Sequence, residues 1–401
     1  MIPIFGSWGK PSREKFAAIV LKRIAERGGP TDFVFQPDTF EIRRPTNRGF
    51  LGNTYDAYCA AKGSHRQMIL DNFVAIMVER PDHSESSLEE VREDLVTVVR
   101  ERALFSFTSL LWQLEGVKKP PEQSQEPMTD WFAKTLVIDS PSSMSLVNED
   151  QVAAWGVPSY ELYSLGLEKL RAAKPPAFSE DRGVFRGLWN DDYDSSRILV
   201  PGIFEDLPLR GEAVVCIPNR LTLLVAGSDD TDAIGRMLTT AEEIVRTQPK
   251  PQNPAPLLVR DGEISDFSVP DHSPIFNQVA RAKRIAALLY YNEQKVQLET
   301  LYEKNGKDLF VASYSLNQQD SGAYASVSVW TKGIATLLPV TDEVILVDPD
   351  KPKGENVVAR APWPLVAGSL GDLMLDTKMF PTRFYVSGFP TDEQLRRLVA
   401  T

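Results

Sequence analysis

Apolar residues recur at helical spacing in several stretches of the chain, and each stretch begins or ends with a residue typical of a helix terminus. After Ser12, apolar positions three or four residues apart predict an opening helix, which Gly28-Gly29-Pro30 ends. Residues 274–305 contain almost no helix-breaking residue and predict a helix about 45 Å long. Further helices are predicted after Asn53, over residues 87–102, after Pro158, after Ser228 or Asp229, and after Thr391.

Short apolar runs bounded by turn residues predict strands between these helices. Residues 32–44 are typical of a short hairpin, and residues 212–216 and 221–226 of a second one. After the long helix, four runs between residues 309 and 348 predict an antiparallel meander with a tight turn at Lys332-Gly333. The predicted fold class is therefore α+β, with mixed helices and short antiparallel sheets followed by a long helix packed on an antiparallel meander.

Proline-rich polar segments indicate where the chain divides. Residues 118–127 are predicted to be an exposed connector, and residues 249–273 a linker. These boundaries give an N-terminal α/β unit at 1–117, a central α/β unit at 128–248, and the long helix with its sheet at 274–401.

Charge and cysteine content exclude several classes of protein. The 44 Lys and Arg against 55 Asp and Glu give a net charge of −11, which does not favour general binding to nucleic acid or anionic membranes. The two cysteines, Cys59 and Cys216, lie far apart in apolar segments and do not suggest a disulfide scaffold. The sequence shows neither a signal peptide nor an apolar run long enough to cross a membrane, so we expect a cytoplasmic protein.

Three segments resemble the YtpQ-like domain-of-unknown-function family. They are LGNTYDAY at 51–58, the stretch from 147 to 170 with its WGV sequence, and GEAVVCIPNR at 211–220 followed by GSD at 227–229. The resemblance covers roughly residues 12–262. It implies a mixed α/β chain and brings no established reaction, cofactor or partner. Leu221 follows Arg220 where the family pattern has an acidic residue.

Sequence motifs for common enzyme chemistry are absent. The chain contains no phosphate-binding loop, dinucleotide-binding glycine motif, nucleophile elbow or zinc-protease motif, and its three histidines have no metal-ligand spacing. We therefore expect no cofactor, no metal and no catalytic residue. Two acidic groups leave a divalent-metal site or acid–base catalysis open as alternatives to helix capping; they are Asp191, Asp192 and Asp194, and Asp229, Asp230 and Asp232.

A few arginine, tyrosine and tryptophan residues are the candidates for binding a ligand or partner, because arginine clamps anionic groups and exposed aromatic residues anchor interfaces. The candidates are Arg43, Arg44, Arg48, Asn53, Tyr55, Arg220, Trp330 and Trp363.

The long helix carries two apolar stripes, which predict contacts on two sides or self-association. Since catalytic motifs are missing, we expect a non-catalytic, adaptor-like protein that binds a protein partner or a second copy of itself. Two alternatives stay open: an unrecognised hydrolase or transferase that uses an acidic loop with Arg220, and a small-ligand sensor.

Overall fold

The structure is a computed structural model that describes residues 10–37, 39–44, 47–79, 83, 85–140, 143–172, 177–248, 251–319 and 322–399. The chain forms two compact units. Unit 1 consists of Met1–Leu95 and Val137–Leu146, and unit 2 consists of Val96–Leu136 and Val147–Thr401.

Helices and strands are mixed along the described chain, which confirms the predicted α+β class. The α-helices are α1 (Arg13–Glu26), α2 (Gly52–Ala60), α3 (Ser64–Glu79), α4 (Leu88–Val91), α5 (Arg102–Leu114), α6 (Glu149–Trp155), α7 (Ser159–Arg171), α8 (Thr231–Thr247), α9 (Phe276–Lys304), α10 (Trp363–Leu370) and α11 (Asp392–Val399). The strands are β1 (Val34–Gln36), β2 (Glu41–Arg44), β3 (Asn47–Phe50), β4 (Leu95–Glu101), β5 (Gln125–Pro127), β6 (Phe132–Ser140), β7 (Ser143–Leu146), β8 (Phe178–Asp181), β9 (Val184–Gly187), β10 (Ala213–Asn219), β11 (Thr222–Gly227), β12 (Leu257–Arg260), β13 (Glu263–Asp266), β14 (Phe310–Val311), β15 (Ser315–Gln318), β16 (Tyr324–Thr331), β17 (Thr336–Pro339), β18 (Glu343–Val347), β19 (Val357–Pro362), β20 (Leu375–Asp376) and β21 (Arg383–Val386).

Unit 1 packs helices α1 and α3 on the small antiparallel sheet β1-β2-β3. The Ser12 side chain accepts a hydrogen bond from the Lys15 N–H and caps α1. Apolar residues at helical spacing on α1, among them Phe16 and Val20, are fully buried against Ile42 of β2 and its neighbours. The predicted opening helix and the predicted hairpin at 32–44 are both confirmed.

The centre of unit 2 is a six-stranded antiparallel sheet in the order β13-β12-β10-β11-β9-β8. Along β10, Val214 and Cys216 face helix α8, whereas Val215 and Ile217 contribute to a second core. This alternation follows from the two-residue period of a strand. The predicted hairpin at 212–226 and the helix after it are confirmed, although the helix is capped by Asp230.

Helix α9 buries side chains on more than one side. Val279 packs with α8, Tyr291 contributes to a cluster with Tyr314, and Leu298 packs against the first strands that follow the helix. Leu289 and Val296 stay exposed. Both apolar stripes are thus largely covered by other parts of unit 2. A second molecule is therefore not needed to bury them.

The strands after α9 form two mixed sheets, so the predicted antiparallel meander is wrong. One sheet has the order β15-β16-β18-β19 and the other β14-β17-β21-β20. The pairs β16–β18 and β14–β17 are parallel, which requires crossover connections. The turn at Lys332-Gly333 therefore leads from β16 to a strand in the other sheet and does not join paired strands.

Two predicted helix starts also need correction. Ser87 does cap a helix, with a capping box to Glu90, but α4 ends after one turn and the buried strand β4 follows. The β-branched run around Thr97 explains this, because such residues favour a strand. Helix α2 begins at Gly52, so Asn53 lies inside the helix and is not its cap.

The predicted linker at 249–273 is also wrong over its described part, because residues 252–257 are buried and strands β12 and β13 belong to the central sheet. The Asn253 side chain donates a hydrogen bond of 2.9 Å to the Tyr290 hydroxyl and accepts one from the Ala255 N–H. Pro254 and Pro256 carry no N–H that would need a partner, which makes this irregular segment less costly to bury.

Candidate functional site

Arg43 and Arg44, two of the predicted binding residues of unit 1, lie on strand β2. Arg44 lies with its Nε 3.4 Å from an Asp32 carboxylate oxygen. Arg43 is half-buried on β2. The side chains of Arg48 and Asn53 lie outside the described part of the chain.

Tyr55 is a packing residue of unit 1. Its hydroxyl donates a hydrogen bond of 2.8 Å to the Pro11 carbonyl oxygen, and its ring meets Phe16 and Phe40 edge to face. These contacts account for an aromatic residue with a polar tip at this position.

The two predicted tryptophans of unit 2 also pack internally. Trp330 is fully buried, and its indole N–H donates a hydrogen bond of 3.1 Å to the Gly388 carbonyl oxygen. Trp363 begins α10, is half-buried, and packs against Phe384 at 5.5 Å between ring centres. Neither side chain is an exposed anchor of the kind that interfaces use.

Arg220 differs from the other predicted residues because its positive charge acts on a buried arginine, Arg100. It occupies the turn between β10 and β11, is half-buried, and has a buried Nε without a hydrogen-bond partner. None of the carboxylates in the described part of the chain forms an ion pair with its guanidinium. Arg100, near the end of β4, is 3% exposed, and its guanidinium donates a hydrogen bond of 2.7 Å to the Val99 carbonyl oxygen. We call these two residues the arginine pair.

The charges of the arginine pair interact. Burial lowers the pKa of Arg100, and the positive charge of Arg220 lowers it further, to about 10. Glu101, Tyr193 and Asp192 act in the opposite direction, with smaller effects. Arg100 therefore stays protonated at neutral pH, and two positive charges lie together in a largely desolvated place.

The acidic loop at 191–194 is held close to the arginine pair. The Ser195 N–H donates a hydrogen bond of 3.4 Å to the Arg220 carbonyl oxygen, and the Ser196 hydroxyl accepts one of 3.1 Å from the Val99 N–H. These two contacts connect the 3-10 helix at Asp194–Leu199 with both strands that carry the arginines. The structure thus brings together Arg220 and one of the two acidic groups singled out in the sequence.

A buried ion pair fixes the shape of this loop. Arg197 is 2% exposed, and its guanidinium donates hydrogen bonds of 2.7 and 2.5 Å to the two carboxylate oxygens of Asp191. The same guanidinium lies 4.6 Å from the centre of the Trp189 ring. Burial alone would raise the pKa of Asp191, but the hydrogen bonds from Arg197 hold it below its ordinary value.

Asp194 is the most deeply buried acid of the loop, with no exposed surface. Burial raises the pKa of its carboxyl group. Its Oδ1 and the hydroxyl of Ser195 have no hydrogen-bond partner in the described part of the protein. Two unsatisfied polar atoms in a core are costly, and such atoms are typical of functional sites.

The proline-rich segment is hydrogen-bonded to the strands that carry the pair. The Gln252 N–H donates a hydrogen bond of 2.8 Å to the Pro218 carbonyl oxygen, and its side chain contacts a Glu101 carboxylate oxygen at 3.5 Å. The other side-chain atom of Gln252, Oε1, is buried without a partner among the described residues. The two polar residues at the C-terminal end of β4, Arg100 and Glu101, thus lie among buried polar groups.

The second acidic group has structural roles at the start of α8. Asp230 caps the helix by accepting a hydrogen bond of 3.0 Å from the Ala233 N–H, and Asp229 accepts one from the Ser228 hydroxyl. Asp232 lies in the first turn, where the helix dipole favours a negative charge. Across the described residues, no group of three or more His, Cys, Asp or Glu side chains is arranged to hold a metal ion.

Sequence reasoning missed Arg100, Arg197 and Trp189. The signal for Arg100 was available: an Arg-Glu pair ends a run of β-branched residues that is too apolar for a surface strand. The prediction of one helix over 87–102 concealed that signal.

Comparison with known proteins gives no relative for this chain. A scan against models of protein families, a search of curated proteins and a search of solved structures each found no match. None of the described helices combines the length and apolar character needed to cross a membrane. The resemblance to the YtpQ-like family stays a prediction.

Proposed function

We propose that this chain binds a small anion, namely the phosphate or carboxylate group of a metabolite, at Arg100 and Arg220. The single observation that carries the proposal is the Arg220 guanidinium, half-buried and without a carboxylate partner beside a second, buried guanidinium. This is the small-ligand alternative raised by the sequence.

Two positive charges near each other and away from water raise the free energy of the protein. Each guanidinium loses hydration, and each raises the free energy of the other. An anion between them removes the repulsion and supplies acceptors for the N–H groups. The planar guanidinium donates two parallel hydrogen bonds to two oxygens of a carboxylate or phosphate. Arginine therefore binds such an anion with better geometry than lysine.

The surroundings supply a rigid frame for the ligand. The Asp191–Arg197 ion pair fixes one loop beside the pair, and the contacts of Gln252 fix the proline-rich segment. Such preorganised sites lose less free energy on ordering when a ligand binds.

The adaptor-like function and the hydrolase or transferase remain predictions. The adaptor hypothesis depended on the two stripes of the long helix, and these are now largely explained by packing within unit 2. The enzyme hypothesis is supported by the contact between the acidic loop and Arg220, although the described contacts of serine hydroxyls with a histidine, those of Ser140 and Ser86 with His83, belong to unit 1.

Calorimetric titration with inorganic phosphate and with succinate tests the proposal. The wild-type protein should bind at least one of the two saturably. Arg220→Gln should weaken that binding about tenfold to a hundredfold, since hydrogen bonds to charged groups contribute about 1.5–3 kcal/mol. Arg220→Lys should recover only part of the affinity, because it keeps the charge and loses the two-pronged geometry.

Arg360→Gln is the matched control, because Arg360 is exposed and pairs with Glu343 at 3.7 Å on another sheet. It should leave the titration unchanged. If neither anion binds to the wild type, or if Arg220→Gln binds as well as the control, the proposal is wrong.

A further inference from the structure

A cavity of about 770 Å³ lies in unit 2 at the edge of the central sheet, and it shares no lining residue with the arginine pair. Its walls come from the β8–β9 hairpin, one side of α8, and the start of α9. The volume falls in the range of about 300–1,000 Å³ that holds small organic ligands. Val184, Leu224 and Ile275 supply apolar surface, and arginines and threonines supply polar groups.

Three arginines and three acidic residues line this cavity, and two of the arginines, Arg186 and Arg236, are in no ion pair with a described residue. Arg186 is exposed and forms no ion pair with any described residue. The Arg236 guanidinium donates to the Arg182 carbonyl oxygen at 2.5 Å, and its buried Nε has no partner in the described chain. An unpaired guanidinium is unexpected in a chain of net charge −11, where carboxylates are plentiful.

The acidic residues of the cavity, by contrast, are mostly engaged. Asp181 pairs with Arg182 at 3.3 Å, and the Glu180 carboxylate accepts a hydrogen bond of 2.7 Å from the Gly183 N–H. Asp232 is in the first turn of α8, where the helix dipole compensates its charge. The cavity therefore offers the Arg186 guanidinium, which has no ion pair, and the Arg236 guanidinium, which donates to the Arg182 carbonyl oxygen, beside aliphatic surface.

We propose that this cavity binds a carboxylic acid with an aliphatic body, its carboxylate on Arg186 and Arg236 and its apolar part against Val184, Leu224 and Ile275. The residues that line the cavity include no aromatic side chain, so the described walls offer no aromatic ring on which a nucleobase would stack. This favours an aliphatic acid over a nucleotide. The site is independent of the arginine pair.

Decanoate is the probe, with decanol as its uncharged counterpart. Displacement of the fluorescent dye anilinonaphthalenesulfonate, confirmed by calorimetry, should give saturable binding of decanoate to the wild-type protein. The double variant Arg186→Gln/Arg236→Gln should weaken decanoate binding at least tenfold and leave decanol binding within about twofold of the wild type, since only the charged contact is lost.

Thr240→Trp supplies a second, steric variant. Thr240 is exposed on α8 and lines the cavity, so a large side chain there should obstruct the ligand without unfolding the helix. Both decanoate and decanol should bind more weakly to it. Absence of decanoate binding to the wild type, or equal decanoate affinity in the double variant, would overturn the proposal. Phosphate titration at Arg220 provides a separate readout, so failure here leaves the first proposal untouched.

Discussion

The guanidinium of Arg197, almost fully buried, donates two hydrogen bonds to the two carboxylate oxygens of Asp191, whose side chain is 41% exposed. This pair ties the start of the acidic loop to the 3-10 helix that follows it. The loop is therefore a rigid wall of the candidate anion site rather than a solvated turn.

Asp191→Asn should destabilise the protein by about 1–3 kcal/mol. The variant leaves the Arg197 charge buried with a neutral partner, but the exposure of Asp191 keeps the cost below that of a fully buried pair. Urea unfolding at pH 7 measures the change. Asp181→Asn, at a carboxylate that is 79% exposed, is the control and should change stability by less than about 0.5 kcal/mol. Equal stability of the two variants would contradict the structural role of the pair.

Arg220→Gln should leave the unfolding free energy in anion-free buffer unchanged within about 0.5 kcal/mol, or raise it. Removing one of two neighbouring positive charges relieves the repulsion that lowers the pKa of Arg100. Thermal unfolding with and without phosphate measures the effect. If phosphate is the anion that binds, it should raise the melting temperature of the wild type more than that of the variant at the same concentration. A variant that loses more than about 1 kcal/mol without phosphate would indicate that Arg220 is a structural residue.

Arg383→Met should cost about 3–5 kcal/mol, because Arg383 is fully buried and satisfies several acceptors at once. Its guanidinium donates to the Gln294 side chain at 2.6 Å and to the carbonyl oxygens of Ala312, Leu337 and Tyr291. These contacts tie α9 to the strands that follow it. Chemical unfolding measures the loss.

Arg397→Gln is the control for Arg383, since Arg397 is exposed and its ion pair among the described residues is with Glu393 one turn away. It should cost less than about 0.5 kcal/mol. If Arg383→Met is as stable as this control, the buried guanidinium is not needed to hold α9.

Asp342→Asn should reduce stability by about 1–2 kcal/mol at pH 7. Burial alone would raise the pKa of Asp342, but hydrogen bonds from Arg284 and Ser326 hold it below its ordinary value. A carboxylate with a lowered folded-state pKa stabilises the fold above its unfolded-state pKa, and this contribution is lost as the pH falls through the folded-state value. The side chain is 38% exposed, which limits the effect.

The difference between wild type and Asp342→Asn should therefore shrink as the pH falls below about 4. Urea unfolding over a series of pH values checks this. A difference that stays constant from pH 7 to pH 3 would show that the charge of Asp342 does not contribute.

Local signals predicted much of the fold. The cap at Ser12, the capping contacts of Thr391 with Gln394 and the hairpin at 212–226 depend on residues a few positions apart, and all are present. The parallel pairing of β16 with β18 depends on residues far apart in the chain. The residue pattern of a strand does not show which other strand it will pair with. The strands were therefore located correctly, but the predicted meander paired them wrongly.

The candidate site was predictable only in part. Arg220 and the loop from Asp191 to Asp194 were identified from residue type, but their proximity depends on the contacts of Ser195 and Ser196 with distant strands. Arg100 was missed because its segment was assigned to a helix. An anion site built from three separate segments leaves no contiguous motif.

The burial of residues 252–257 bears on how this protein could be divided experimentally. A cut at this proline-rich stretch, the obvious place to separate two halves, would remove the hydrogen bonds of Gln252 and Asn253 from the middle of unit 2. Neither fragment would keep a complete central sheet, since β10 on one side of the cut pairs with β12 on the other. Proteases should spare this stretch in the native state, and unit 2 is best expressed and crystallised as one piece.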